Sequence, residues 1–72
     1  MLGEREAVVL EITPFDIHGV RYADLTLTFP DRSVLSARLG PEAVPDELEA
    51  GERVLATVAA NMVVSVRRAD TP

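Results

Sequence analysis

RYADLTLTFPDRSVLSARL, residues 21–39, decides how the chain is read. In its first half Ala23, Leu25, Leu27 and Phe29 alternate with Tyr22, Asp24, Thr26 and Thr28. A period of two puts the apolar set on one side of a β-strand and the polar set on the other. Threonine suits the solvated side of a pleated strand. PDRS, 30–33, has turn composition, because proline presets φ and aspartate bonds its own backbone two residues on. VLSARL, 34–39, resumes the alternation, with Leu35, Ala37 and Leu39 opposite Val34, Ser36 and Arg38. The two runs form a hairpin with one apolar face.

Three further strand-like runs flank it. EAVVLEIT, 6–13, puts Val8, Leu10 and Ile12 on one face and Val9 and Glu11 on the other. Pro14 is expected to end that strand, since it cannot donate to a ladder. PFDIHGV, 14–20, then reads as a loop turning at Gly19. After the hairpin, Gly40 and Pro41 break the strand, and Pro45 interrupts any regular helix in 40–52. One short helical turn is expected there, with Val44 and Leu48 capping one end of the core. Gly51 supplies the next turn. RVLATVAA, 53–60, and MVVSVRR, 62–68, follow, joined at Asn61, a residue that tolerates the left-handed conformation of tight turns. Val54, Ala56 and Val58 share a face of the fourth run; Met62, Val64 and Val66 share a face of the fifth, opposite Val63 and Ser65.

Five short strands with a small helical turn between the third and fourth predict an all-β, five-stranded, OB-fold-like Greek-key barrel. An SH3-like small barrel is the competing architecture. The 72 residues make a single domain, 1–72, with an ordered core over about 6–68. A chain this short buries only about 60% of its unfolded surface, and it has no cysteine to staple it. It must pack tightly or bury surface against copies of itself. On the faces assigned above, Val9, Leu55, Ala59 and Val63 are apolar where water is expected. Such a patch marks an interface, so a homo-oligomer is expected.

Charge and targeting bound the partners. Seven arginines and no lysine stand against twelve acids, a net charge of −5. That disfavours a general nucleic-acid binder, which needs a basic stripe. Arg53, Arg67 and Arg68 would lie near one another if the last two strands pair. Residues 1–7, MLGEREA, are charged where a signal peptide would be apolar. No apolar run approaches the roughly 20 residues of a membrane span. A cytoplasmic location without membrane insertion is expected.

The pattern also resembles a family. VVLEI (8–12), LTLTFPDRSVLSARL (25–39) and LEAGERVLATVAANMVVSV (48–66) are similar, in order and spacing, to the strands of the TOBE domain, the transport-associated OB module, and its molybdate-binding Mop relatives. L-x-x-G-x-x-V-x-A-x-V-x-A, beginning at Leu48, is the most specific part. The resemblance implies an OB-type barrel that assembles through its strands, a partner among transporter components, and a small-oxyanion site at subunit contacts. The family's ligand contacts are hydroxyls, main-chain amides and a lysine. Here Gly40 stands at the family's threonine, Ala43 at its serine, Ala59 at its lysine and Asn61 at the following serine or threonine. A buried oxyanion needs donors to replace its water. What remains for a ligand such as molybdate is Arg38, the main chain near Gly40 and Ala60, and the Asn61 amide.

No motif points to catalysis, and no enzyme is expected. His18, the single histidine, lies near Asp16 and Asp24, but a metal site needs three or four good ligands, so neither metal nor other cofactor is expected. No serine or threonine sits in a nucleophile elbow beside it. Asp46, Glu47, Glu49 and Glu52 read as a solvated acidic rim. The function expected is a non-enzymatic, self-associating TOBE-like binding or regulatory module, linked to transport or small oxyanions. The alternatives are an assembly module without a small ligand and a weak single-strand nucleic-acid binder using Phe15, Tyr22 and Arg38, since OB-folds stack bases on aromatic side chains.

Overall fold

The 21–39 segment folds as the hairpin its alternation predicts. The structure is a computed structural model and describes residues 3–69. Its strands are β1 (Gly3–Ile17), β2 (Val20–Thr28), β3 (Val34–Leu39), β4 (Arg53–Ala59) and β5 (Met62–Arg68). They form one five-stranded sheet in the order β3-β2-β1-β4-β5, every neighbouring pair antiparallel. Ala23, Leu25, Leu27 and Phe29 are buried, as are Val54 and Ala56. The 29–33 turn closes through Arg32 N–H to Phe29 O at 2.8 Å, and Asp31 accepts from both the Ser33 amide and hydroxyl.

The sheet is staggered around β1. That strand pairs with β4 through Gly3–Val8 and with β2 through Val8–Ile17, so only Val8 has a partner on both sides. A large stagger is what coils a sheet toward a barrel. The two edge strands, β3 and β5, do approach each other, and Val66 N–H donates to Ala43 O at 2.8 Å. They exchange no ladder, however, and the sheet is open. The closed barrel expected from the sequence is therefore not formed by strand pairing.

Three other expectations are corrected. The helical turn between the third and fourth strands is absent; residues 40–52 form successive turns, with Ala43 N–H bonded to Gly40 O and Glu52 N–H to Glu49 O. Pro45 and the left-handed backbone of Glu47 (φ 58°) prevent these from joining into a helix. Val44 and Leu48 nevertheless pack on the core as expected. Second, Pro14 does not end β1, because it pairs with Ala23 and the strand runs on to Ile17. Beyond Val8 the strand has no partner on its other side, which is where a ladder tolerates proline. What was read as a loop is the arm of a hairpin turning at His18-Gly19, both with positive φ (52° and 80°), as a two-residue primed turn requires.

Third, two β-bulges reverse the face assignments of β1 and β5. The β1–β2 register slips between Val9 and Glu11, leaving Leu10 as the extra residue. Val9 turns inward, 1% exposed, and Leu10 outward, 51% exposed. The backbone of Val9 holds that position, bonding Glu52 O at 3.0 Å and Gly51 N at 2.7 Å. The β4–β5 register slips at Thr57/Val58, leaving Val64 unpaired on β5. Val63 is buried and Val64 is 43% exposed. Val9 and Val63 are core residues, so they cannot belong to the surface patch expected of them.

Candidate functional site

The stagger leaves one end of the β1–β2 hairpin without neighbours. β3 reaches only to Leu39, opposite Ala23, and β4 only to Arg53, opposite Val8. Residues 15–22 therefore pair with each other alone, as a two-stranded ribbon. Such a ribbon has little stability by itself, and its side chains supply what holds it. Phe15 and Tyr22, directly opposite, stack with centroids 5.9 Å apart. Arg38 lies over the Phe15 ring at 4.6 Å and pairs with Asp24 through Nε at 2.9 Å and Nη2 at 3.3 Å. On the other side of the ribbon Arg21 Nε donates to Asp16 Oδ1 at 2.6 Å.

By strand alternation Ile17 and Val20 share the face of Phe15 and Tyr22, and each is 41% exposed. This outer face thus carries two stacked aromatics and two exposed aliphatics. The Arg38–Asp24 pair forms its boundary, and Thr26 and Ser36 continue the row with a hydroxyl–hydroxyl bond of 3.1 Å. The inner face of the ribbon and the 41–48 turns enclose a cleft of about 330 Å³, floored by Ile12, Pro14, Val44 and Leu48.

The sequence-derived ligand residues lie on three elements: Arg38 on β3, Gly40 in the turn after it, and Ala60 and Asn61 in the β4–β5 turn. Arg38 is engaged with Asp24 and Phe15. Gly40 uses its carbonyl in a turn, and a side chain there would meet the Glu42 carboxylate. Ala60 and Asn61 form the two-residue β4–β5 turn, both left-handed (φ 50° and 63°) and exposed. Of the interface candidates, Val9 and Val63 are core, while Leu55 and Ala59 are half-buried. Leu55 lies opposite Arg67, and Arg67 pairs with Glu4 across β4 at 2.7 Å. By contrast, Phe15, Tyr22 and Arg38, named together from the sequence as the residues of a single-strand nucleic-acid binder, do come together. Ile17 and Val20 were missed because their segment was read as a loop. The signal that finds them is the His-Gly turn pair, which extends the hairpin to both residues.

Electrostatics on this surface are local. Arg38 holds the Asp24 carboxyl below its ordinary value through hydrogen bonding. Arg67 does the same for Glu4. Glu52 is lowered by Arg68 first and by the Glu49 amide second, and Asp31 by the two Ser33 donors first and by Arg5 after them. Five arginines thus face carboxylates: Arg5, Arg21, Arg38, Arg67 and Arg68. Of the basic spot considered for Arg53, Arg67 and Arg68, two members face carboxylates, Arg67 on Glu4 and Arg68 on Glu52. Among the described residues no buried side chain is polar, no group of three or more His, Asp or Glu is arranged to hold a metal, and no helix is long and apolar enough to cross a membrane.

Compared with known proteins, the chain matches no family model, no curated protein and no solved structure.

Proposed function

We propose that the chain is a non-enzymatic binding module, an OB-type barrel with its β3–β5 seam left open, that self-associates through the outer face of its β1–β2 ribbon. The observation that carries this reading is the exposure of Ile17 and Val20 beside the Phe15–Tyr22 stack, on a ribbon that no other strand flanks. Exposed apolar groups gathered on one face favour docking. The strand order and the approach of β3 to β5 support the OB-type reading, and with it the TOBE-like resemblance and its association with transport. The small-oxyanion role receives least support, because Arg38 already has its carboxylate.

Light scattering over a dilution series tests the proposal. The chain is expected to form a dimer or larger assembly, and Val20→Glu to shift it toward monomer while its β-sheet circular dichroism stays the same. A chain that is monomeric at every concentration refutes self-association. A second reading, a single-strand nucleic-acid binder, is favoured by one observation, the stacking of Arg38, Phe15 and Tyr22. It is opposed by the Arg38–Asp24 pair and the net charge of −5. A salt-sensitive mobility shift of a labelled oligonucleotide, lost in Tyr22→Ala, would establish it.

A further inference from the structure

The other side of the ribbon carries a different kind of surface. The cleft between the hairpin and the 41–48 turns has a volume of about 330 Å³. Small-molecule sites run from roughly 300 to 1,000 Å³ and combine apolar walls with a few placed polar groups. This cleft has that composition. Ile12 and Val44 pack directly against the core, Leu48 is buried in it, and Pro14, Pro41 and Pro45 stiffen the walls. Proline presets its own φ, so these walls need little ordering when a ligand arrives.

The charges around the cleft are unbalanced. Its ionisable lining consists of Arg21, Tyr22, Asp46 and Glu47. Arg21 is neutralised by Asp16 at 2.6 Å. Among the described residues Asp46 takes part in a hydrogen bond only through its main-chain oxygen, which accepts from Arg68 at 2.8 Å. Among the described residues no donor reaches the carboxylate of Asp46 or of Glu47. The cleft therefore has an apolar floor and two unpaired negative charges at its lip. An apolar anion would meet repulsion there, and a neutral ligand would leave the carboxylates as they are. An apolar group bearing one cation satisfies both features.

We infer that this cleft binds a small organic cation, an aromatic or aliphatic body carrying a single ammonium or guanidinium group, with Asp46 and Glu47 receiving the charge. Its volume limits the ligand to about one ring with a short arm. The inference concerns the inner face of the ribbon and does not depend on self-association through the outer face.

Titration of the isotope-labelled chain with phenethylamine, 2-phenylethanol and 3-phenylpropionate, followed by amide NMR shifts, tests it. The amine is expected to move the amides of Ala23, Val44 and Leu48 and to bind about fivefold more tightly than the alcohol, the range of a partly solvated ion pair. The acid should bind most weakly. Glu47→Gly keeps the test independent of folding, because glycine relieves the positive φ at that position. Combined with Asp46→Asn it should leave a folded chain that no longer distinguishes amine from alcohol. Equal midpoints for all three compounds in the unmodified chain overturn the inference, as do shifts confined to other amides. Repeating the titration on Val20→Glu separates the two proposals: amine binding there, whatever the oligomeric state, supports the cleft alone, and its absence counts against the cleft.

Discussion

At the scale of single residues, the backbone makes uneven demands on side chains. Ala60 and Asn61 both adopt left-handed φ in the β4–β5 turn. Asparagine accommodates that conformation through its short polar side chain; alanine has no such means. Gly51 has φ +94° and its N–H bonds Val9 O, so the same conformation is there given to the residue that tolerates it. Two substitutions should therefore act with opposite sign. Ala60→Gly is expected to raise stability by about 0.5–1 kcal/mol, the relief of left-handed strain less the entropy glycine adds to the unfolded chain. Gly51→Ala is expected to lower it by about 1–2 kcal/mol. Urea denaturation midpoints check both, with an unchanged slope showing that the folded state is the same. If Ala60→Gly destabilises, the turn is not strained at that residue.

At the scale of elements, the two bulges determine which residues the strands bury. Val9→Ala and Val63→Ala should each cost about 2 kcal/mol, the loss of two buried methyl groups and the space they leave. Leu10→Ala and Val64→Ala, one residue away in each strand, should change stability by no more than about 0.5 kcal/mol, as exposed positions do. A reversed order in thermal or urea unfolding would place the bulges wrongly. These same positions show what the sequence could convey. β2 and β3 alternate strictly, and their hairpin and its inward-facing residues were readable from that alternation. β1 and β5 contain Val8-Val9-Leu10 and Met62-Val63-Val64, three consecutive apolar residues each. A bulge inserts one residue, which reverses the alternation beyond it, and an all-apolar run conceals where the reversal falls. The ribbon was hidden differently. Pro14 is a strand terminator only where both sides of the strand are paired, and the partners of β1 are set by the stagger of the whole sheet. Phe15, Tyr22 and Arg38 could be singled out as residue types. Their convergence, and the cleft behind them, depend on residues 41–48 folding back against the ribbon.

At the scale of the whole molecule, stability rests on an apolar core held in an open sheet and on ion pairs spread over its surface. Among the described residues no polar side chain is buried, so nothing inside the core titrates. The titratable part lies outside, where Glu4, Asp24, Asp31 and Glu52 all have carboxyls held below their ordinary values by arginine or serine donors. Two of these connections are distant in sequence: Glu4–Arg67 ties β1 to β5 across β4, and Arg5–Asp31 joins β1 to the 29–33 turn. A carboxyl whose pKa is lower folded than unfolded binds fewer protons in the folded state. Its contribution is complete above the unfolded value, roughly 4 for Asp and Glu, and is lost as pH falls through the folded value. Each contribution is small because each pair is solvated, but all four have the same sign and the same window. The melting temperature should therefore stay level from pH 7 to about 5 and fall progressively below about 4. Glu4→Gln with Asp24→Asn should lower the neutral-pH plateau and make the acid limb shallower, because two of the four protonations would no longer distinguish folded from unfolded chain. Raising the salt concentration at neutral pH should bring the unmodified chain toward the double variant, since solvated pairs are screened. Scanning calorimetry across pH 2–7 measures all three effects. A fall already under way between pH 7 and 5, or an acid limb equally steep in the double variant, would show that these surface carboxylates are not what couples the fold to protons.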